Sequence, residues 1–459
     1  MQRSSLPGIE PAPDDVAPGR LWIGGRACEA ASGKTFDVDY PATGEVLTRC
    51  AEGDQEDVER AVEAARKAFK GWSGAAPAER GRLLKRLASL MEEHAGDLAR
   101  LTTLEMGKPI REAQNVDLPH SAAVFRYFGE WTDKVYGETC PVDPGFLNYT
   151  LREPLGVVAA ITAWNFPLVL ASWKLAPALA MGNTVILKPP EQAPLASLKL
   201  GELATQAGFP AGVLNVVSGY GPTAGAALAA HPQVDKVAFT GEHLTAQKIV
   251  QASSGNLKKV SLECGGKSPH IVFPDADMKG ALGSVFAGIF SNQGQVCNAG
   301  SRLFVPAGEA GEFLDRLKDK TASIRLGDPT DPSTEMGPLV SQDQLKRVLG
   351  YLDNGREEGA QALCGGSRSK LSEGGGYYVE PTVFTGVRPS MRIAREEIFG
   401  PVLSVLEFDS EDQLIEQAND TIYGLAAGIW TSDLGRAHRL AKALQAGTVW
   451  VNCYNVFDL

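Results

Sequence analysis

From Gly156 to Glu263 the chain alternates short, apolar runs with helical stretches, and this rhythm limits what it can fold into more than any other feature. The runs Gly156–Thr162, Asn183–Lys188, Val213–Ser218, Lys236–Gly241 and Lys259–Glu263 read as strands. Helices between them begin near Leu170, Pro194, Thr223 and Thr245. Strands that are apolar on both faces and separated by helices belong in parallel βαβ units, so the expected fold class is α/β with a doubly wound parallel sheet. A second series follows, with strands His270–Phe273, Ser301–Val305, Leu403–Phe408, Gly428–Thr431 and Thr448–Asn452, and predicts a second α/β domain with a boundary near residue 265.

Ahead of the first series, residues 1–20 are rich in Pro and Asp and read as a flexible tail. Leu21 to Leu47 is short strand material broken by turns. Two helices follow with a 3.6-residue apolar period, one on Val58, Ala61, Val62, Ala65, Ala68 and Phe69, the other on Leu83, Leu84, Leu87, Leu90 and Met91. Residues 137–154 are extended and read as a small β arm, with Asp143 to Arg152 as its hairpin. The expected division is therefore 21–136 with 155–264 as one domain, 137–154 as the arm and 265–459 as the other domain.

Composition excludes several function classes. A net charge of −11 leaves no basic footprint for nucleic acid. Pro154 to Trp173 carries no charge, but Trp164-Asn-Phe-Pro167 interrupts it, so it reads as strand, loop and helix rather than as a membrane span. The seven cysteines are dispersed without metal-ligand spacing, which argues for no metal site and for reduced thiols in a cytoplasmic setting.

In a doubly wound sheet, ligands lie at the carboxyl ends of the strands, beside helix N-termini. Several of the predicted strand ends carry polar or Gly-rich sequence. Ser218 to Gly225 is a variant of the dinucleotide-binding turn, with Gly221 and Gly225 in it; Thr240-Gly241 ends the next strand. Lys188-Pro-Pro-Glu191 is either a solvated loop pair or a ribose contact. Trp164-Asn165 offers an amide beside aromatic wall, or simply a turn. Glu263, ending what reads as a buried strand, is either a hydrogen-bonded structural carboxylate or a general base. Cys297 sits on a turn flanked by Gly294 and Gly300; a free Cys there is either core filler or an accessible nucleophile.

Taken in order, Trp164-Asn-Phe-Pro167, Phe239-Thr-Gly241, Leu262-Glu-Cys-Gly-Gly-Lys-Ser-Pro269, Asn292-Gln-Gly-Gln-Val-Cys297 and Glu396-Glu-Ile-Phe-Gly-Pro-Val402 resemble the aldehyde dehydrogenase superfamily, over nearly the whole chain from about Leu21. The finer resemblance is to betaine-aldehyde-like and general aliphatic or aromatic NAD-dependent members. The resemblance implies NAD as cofactor, a small aldehyde as substrate, an NAD-binding domain before residue 265 and a catalytic domain after it. It also implies roles. Cys297 matches the nucleophile, Asn165 an oxyanion donor and Glu263 the base that activates water. Glu397 and Phe399 match the nicotinamide-ribose contacts, Lys188 and Glu191 the adenosine ribose, and Trp164 with Gly241 the pyrophosphate region. Phe166, Leu170, Trp173 and Phe457 align with the walls of the substrate tunnel.

Three departures from the family pattern stand out, the largest being the end of the sequence at Leu459; of the other two, Ala163 replaces a common Pro, and Glu242 with Ala246 replaces small residues beside the expected pyrophosphate. A carboxylate about 6 Å from a phosphate costs on the order of 3 kcal/mol at an effective dielectric near 20, so Glu242 is expected either to face solvent or to weaken cofactor binding. The sequence stops at Leu459, whereas relatives continue for about forty residues that complete the tunnel and pair with the arm; a homodimer or homotetramer is expected where that tail is present. An acylating or esterase-like thioester enzyme, or a chain that binds cofactor without turnover, are the alternative readings.

Overall fold

The computed structural model describes residues 9–458. Its first sheet has seven strands: β1 (Leu21–Ile23), β2 (Arg26–Cys28), β3 (Val157–Ile161), β4 (Thr184–Lys188), β5 (Leu214–Val216), β6 (Lys236–Thr240) and β7 (Lys259–Glu263), in the order β7-β6-β3-β4-β5-β1-β2. The strands from β7 to β5 are parallel, while β1 runs antiparallel to β5 and β2 antiparallel to β1. Strand alternation explains why β3 is apolar throughout: Val158 and Ala160 face one core, whereas Val157, Ala159 and Ile161 face the other. The first core takes the Leu83/Leu84/Leu87 stripe and the helix Pro167–Ala180; the second takes Val58, Ala61, Val62 and Ala65. Each fully buried aliphatic side chain contributes roughly 1.5–3 kcal/mol.

The second sheet also has seven strands: β8 (Pro269–Val272), β9 (Arg302–Pro306), β10 (Gln361–Cys364), β11 (Thr382–Thr385), β12 (Val402–Phe408), β13 (Ala426–Trp430) and β14 (Thr448–Val451), in the order β10-β11-β12-β9-β8-β13-β14. All neighbours are parallel except β10 and β11. Strands β10 and β11 are absent from the sequence reading; Gln361–Cys364 is only four residues long with none of them buried, and its pairing with Thr382–Thr385 is what makes it a strand.

Two strands expected to be buried are sheet edges. In β7 no residue is buried, and in β14 only Trp450 is. Each pairs with a single neighbour, so one ladder of backbone groups and much of the side-chain surface stay open. Of the segment read as a loose tail, residues 1–8 lie outside the described residues. Residues 9–20 are tied down: Ile9 is buried, the Glu10 N–H donates to Asp328, and Gly19 bridges Cys50. The arm pairs Thr139–Cys140 with Asn148–Tyr149, so its hairpin begins before Asp143.

The topology sets the carboxyl ends of β3, β4, β6 and β7 along one edge of the first sheet. Cys297 and Glu397 come from segments that lead into β9 and β12, at the amino ends of those strands in the second sheet. The site lies where these two edges meet.

Candidate active site

Cys297 follows a turn whose backbone is left-handed at three successive residues, with φ of 48° at Asn292, 56° at Gln293 and 68° at Gly294. Left-handed conformations are unfavourable for side-chain-bearing residues and must be held by their surroundings. Here the Asn292 N–H donates to Glu112, and its amide donates to the carbonyls of Asn165 (3.0 Å) and Gln295 (3.2 Å). The Gln293 amide donates to Gly107 O and Pro338 O, and Gln295 Oε1 accepts the Val340 N–H. Gly294 has no alternative, since a Cβ there would lie 2.2 Å from Gly400 O. Asn165, just after β3, reaches the same turn by donating one amide N–H to Gln295 O at 3.0 Å, which leaves its second N–H.

Two cavities meet at the thiol. The smaller, about 280 Å³, is lined by Trp164, Asn165, Thr240, Gly241, Cys264, Cys297, Glu397 and Phe399, among others. The larger, about 750 Å³, is lined by Trp173, Lys174, Glu263, Cys297, Asn298, Trp450 and Phe457, with apolar groups around them. Among the described residues Cys297 is the one common to both linings.

Glu397 and Phe399 are held by the helix Gln342–Glu357: Gln344 donates to Phe399 O at 2.6 Å, and Arg347 to Glu397 O at 2.6 Å. The Phe399 ring meets Trp164 edge-on at 5.1 Å. The Glu397 carboxylate accepts the Gly266 N–H at 3.0 Å, and a Cβ at Gly265 would collide with it. Burial raises Glu397 to about 7. Burial likewise pushes the Cys297 thiol up to about 11, with the carboxylates of Glu397 and Glu263 adding to the rise. At rest Cys297 is therefore a thiol, and its ionisation needs local help. One source is Lys174, which donates to Thr240 Oγ1 at 2.6 Å and is lowered by burial to about 8 despite the opposing pull of Glu263 and Cys297.

The remaining expected residues divide. Lys188 and Glu191 form an ion pair at 3.3 Å, and Lys188 is buried, which excludes a merely solvated loop pair. Trp173 and Phe457 stand 5.9 Å apart on the wall of the larger cavity. Phe166 and Leu170 do not line it: the Phe166 ring lies under the Lys108 ammonium, and Leu170 is 5% exposed. Gly221 and Gly225 do not line the smaller cavity either; they lie in a one-turn π-helix, and a Cβ at either position would meet nothing within 4 Å. The glycine that this turn requires is Gly219, with φ of 149° and Gly53 O 2.4 Å from its would-be Cβ. Glu263 is exposed on the open side of β7 rather than buried. Glu242 is exposed as expected and rims the smaller cavity.

Lys174, Gln344 and Arg347 escaped the sequence reading, while Asn292 and Gln295 entered it only within the motif around Cys297 and without a role. Gln344 and Arg347 share one face at i, i+3 spacing, a faint signal that an ordinary polar helix face also gives.

The model of the aldehyde dehydrogenase family matches residues 28–459. The chain belongs to the aldehyde dehydrogenase family. It is 48% identical over 454 residues to the mitochondrial aldehyde dehydrogenase of Homo sapiens, covering 97% of this chain and 87% of that one. It is 47% identical over 436 residues to a betaine aldehyde dehydrogenase of Mesorhizobium japonicum, covering 95% and 89%. Among solved structures, an indole-3-acetaldehyde dehydrogenase complexed with NAD+ superposes with a TM-score of 0.94 at 49% identity, covering 96% of this chain and 90% of that one. Membership brings NAD-dependent oxidation of an aldehyde to a carboxylic acid. The smaller cavity suits that cofactor: Gly241 and Gly265 leave backbone bare, Trp164 and Phe399 offer flat apolar faces, and Glu397 presents an acceptor for ribose hydroxyls. Among the described residues no cluster could hold a metal ion, and no helix is long and apolar enough to cross a membrane.

Proposed function

We propose that Cys297 is the nucleophile, Glu263 the hydrolytic base and Asn165 an oxyanion donor. The observation that carries this is the place of Cys297 at the junction of the two cavities, where one face of the thiol meets substrate and the other meets cofactor. The Sγ thiolate adds to the aldehyde carbon and gives a thiohemiacetal on Cys297. Its alkoxide oxygen is held by the free N–H of the Asn165 amide and the Cys297 backbone N–H, each donor lowering the barrier by roughly 3–4 kcal/mol. The nicotinamide of NAD, when bound, supplies hydride acceptance. The acyl group is then a thioester on Cys297, which Glu263 clears by taking a proton from the attacking water as the thiolate leaves.

On this reading Trp164, Thr240, Gly241, Glu397 and Phe399 hold the nicotinamide half of the cofactor, and Lys188 with Glu191 its adenosine ribose. The first-sheet domain carries the cofactor and the second-sheet domain the nucleophile. Gly221 and Gly225 have the weakest support, since neither lines the cavity. Trp173, Trp450 and Phe457 give the larger cavity an aromatic wall, which favours an aldehyde with an apolar or aromatic body. The free thiols of all seven cysteines support a reducing, cytoplasmic setting, and the exposed apolar arm supports a homo-oligomer.

Rapid mixing tests the division of labour. Glu263→Gln is expected to give a stoichiometric burst of reduced cofactor and then stall, whereas Cys297→Ala gives none. Equal loss of the burst in both would refute it.

A further inference from the structure

Among the described residues, none from 107 to 117 lines either cavity, yet this stretch grips the turn before Cys297 and the Asn165 loop together. Gly107 O accepts the Gln293 amide at 2.7 Å, and the Glu112 carboxylate accepts the Asn292 N–H at 3.1 Å. Between these two contacts, the Lys108 ammonium sits 3.8 Å over the centre of the Phe166 ring. Lys108 is fully buried and forms an ion pair with Asp117, itself 2% exposed. Asp117 ends a one-turn π-helix, Ala113–Asp117, a rare local geometry that recurs at functional sites.

A buried ion pair loses about as much hydration as it regains in attraction, so stability alone does not account for Lys108 and Asp117. The backbone of Asn165 does. The Asn165 amide makes one side-chain hydrogen bond, to Gln295 O at 3.0 Å, and its Oδ1 has no partner among the described residues. The direction of its second N–H is therefore set by the backbone that carries it, the Asn165–Phe166 peptide. On one side the carbonyl of that peptide accepts the Asn292 amide at 3.0 Å; on the other, the Phe166 ring is pinned by the ammonium. A cation shielded from water is drawn to an aromatic face more strongly than one in solution. Phe166 needs holding, because it precedes the helix Pro167–Ala180 with φ of −142° and ψ of 68°, a ψ outside both the helical and the strand ranges.

We propose that Lys108, supported by Asp117, is a positioning residue that aims the Asn165 amide at the oxyanion by pinning the Phe166 ring. The inference rests on Asn165 being the oxyanion donor. An oxyanion donor lowers the barrier only when it points at the place where charge develops, and a small displacement forfeits much of that benefit. Lys108 itself stays out of both cavities, so its loss leaves the surfaces offered to cofactor and aldehyde unchanged.

Lys108→Met combined with Asp117→Asn removes the ammonium without stranding its carboxylate, and Phe166→Leu removes the ring while keeping the ion pair. Each is made in the wild-type chain and in Asn165→Ala, with melting curves to confirm the fold. The measurement is the rate of the first turnover in rapid mixing, read as reduced cofactor, with NAD affinity from calorimetry. Asn165→Ala alone is expected to slow that turnover by roughly a hundredfold or more. The double variant and Phe166→Leu are each expected to slow it roughly tenfold with NAD affinity unchanged, whereas Lys108→Arg, which keeps a cation over the ring, retains most of the rate. In the Asn165→Ala background the same changes are expected to cost at most about twofold, since the group they aim has gone. Phe166→Leu carries the test if the double variant does not fold. Equal slowing in both backgrounds, or a wild-type first turnover in the folded variants, would overturn the positioning role and leave the donor standing. If Asn165→Ala itself turns over at the wild-type rate, the donor reading falls and takes this inference with it.

Discussion

Cys297 carries opposed demands: burial raises its thiol to about 11, yet the proposed chemistry requires a thiolate near neutrality. Lys174 is placed to relieve this. Its ammonium interacts with both Cys297 and Glu263, and its own lowering to about 8 keeps it mostly charged at pH 7. Lys174→Met is expected to slow Cys297 alkylation at pH 7 by roughly tenfold, about 1.4 kcal/mol, while sparing NAD binding; an unchanged rate would remove Lys174 from the ionisation step. Cofactor choice, on the proposed reading, likewise turns on one side chain. In the proposed role Glu191, beside buried Lys188, accepts ribose hydroxyls and repels a 2′-phosphate, and charge-assisted hydrogen bonds are worth roughly 1.5–3 kcal/mol each. Lys188 offsets part of that repulsion, so kcat/KM is expected to favour NAD over NADP by roughly tenfold to a hundredfold. A ratio near one would show that Glu191 does not read the ribose.

Among the elements, the turn Asn292–Gly294 is the least forgiving. Its left-handed backbone is held by Glu112, Gly107, Pro338 and Asn165, which come from three separate stretches of chain. Gly294→Ala would pay for a strained φ and for a clash with Gly400 O, together about 3 kcal/mol or more. The expected result is a clear drop in melting temperature and loss of activity; an active variant melting like wild type would show that the turn can relax. By contrast, Gly221→Ala and Gly225→Ala meet open space and should leave both stability and turnover near wild type. Calorimetric NAD titration of the two variants checks this, since a large loss of affinity would restore the glycines to the phosphate site.

Across the molecule, buried acids make stability depend on pH. Glu105 is fully buried, accepts the N–H groups of Leu195 and Ala196, and is raised by burial from 4.5 to about 8. Between those two values the folded chain holds a proton that the unfolded chain has lost, so this group subtracts from stability as pH rises through that window. Glu105→Gln should therefore melt close to wild type near pH 5 and gain on it toward pH 8; parallel curves would show that the two N–H donors and the helix N-terminus keep the carboxylate charged. The arm is the other whole-molecule feature. Phe146 and Leu147 are 78% and 75% exposed on a two-stranded hairpin that cannot stand in water by itself. Replacing both with Ser is expected to reduce the assembly state in sedimentation without lowering the melting of the cores, and an unaltered assembly would place the subunit contact elsewhere.

The sequence by itself determined the two doubly wound sheets, because strands apolar on both faces and separated by amphipathic helices have few other ways to bury their surface. It also marked Cys297, Asn165, Glu263, Glu397 and Phe399 as candidates, since each lies in a short motif at a strand end or beside glycines. What it could not determine is set by partners distant in sequence. The pairing of Gln361–Cys364 into a sheet, the open edges at β7 and β14, and the packing of residues 9–20 depend on which segments meet. So does the site's inner support: Lys174, Gln344, Arg347 and Tyr454 look like ordinary helix or strand-end residues until folding sets them against Thr240, Phe399, Glu397 and Asn298. Periodicity records which face of an element is buried, but only the tertiary fold decides which atoms that face will meet.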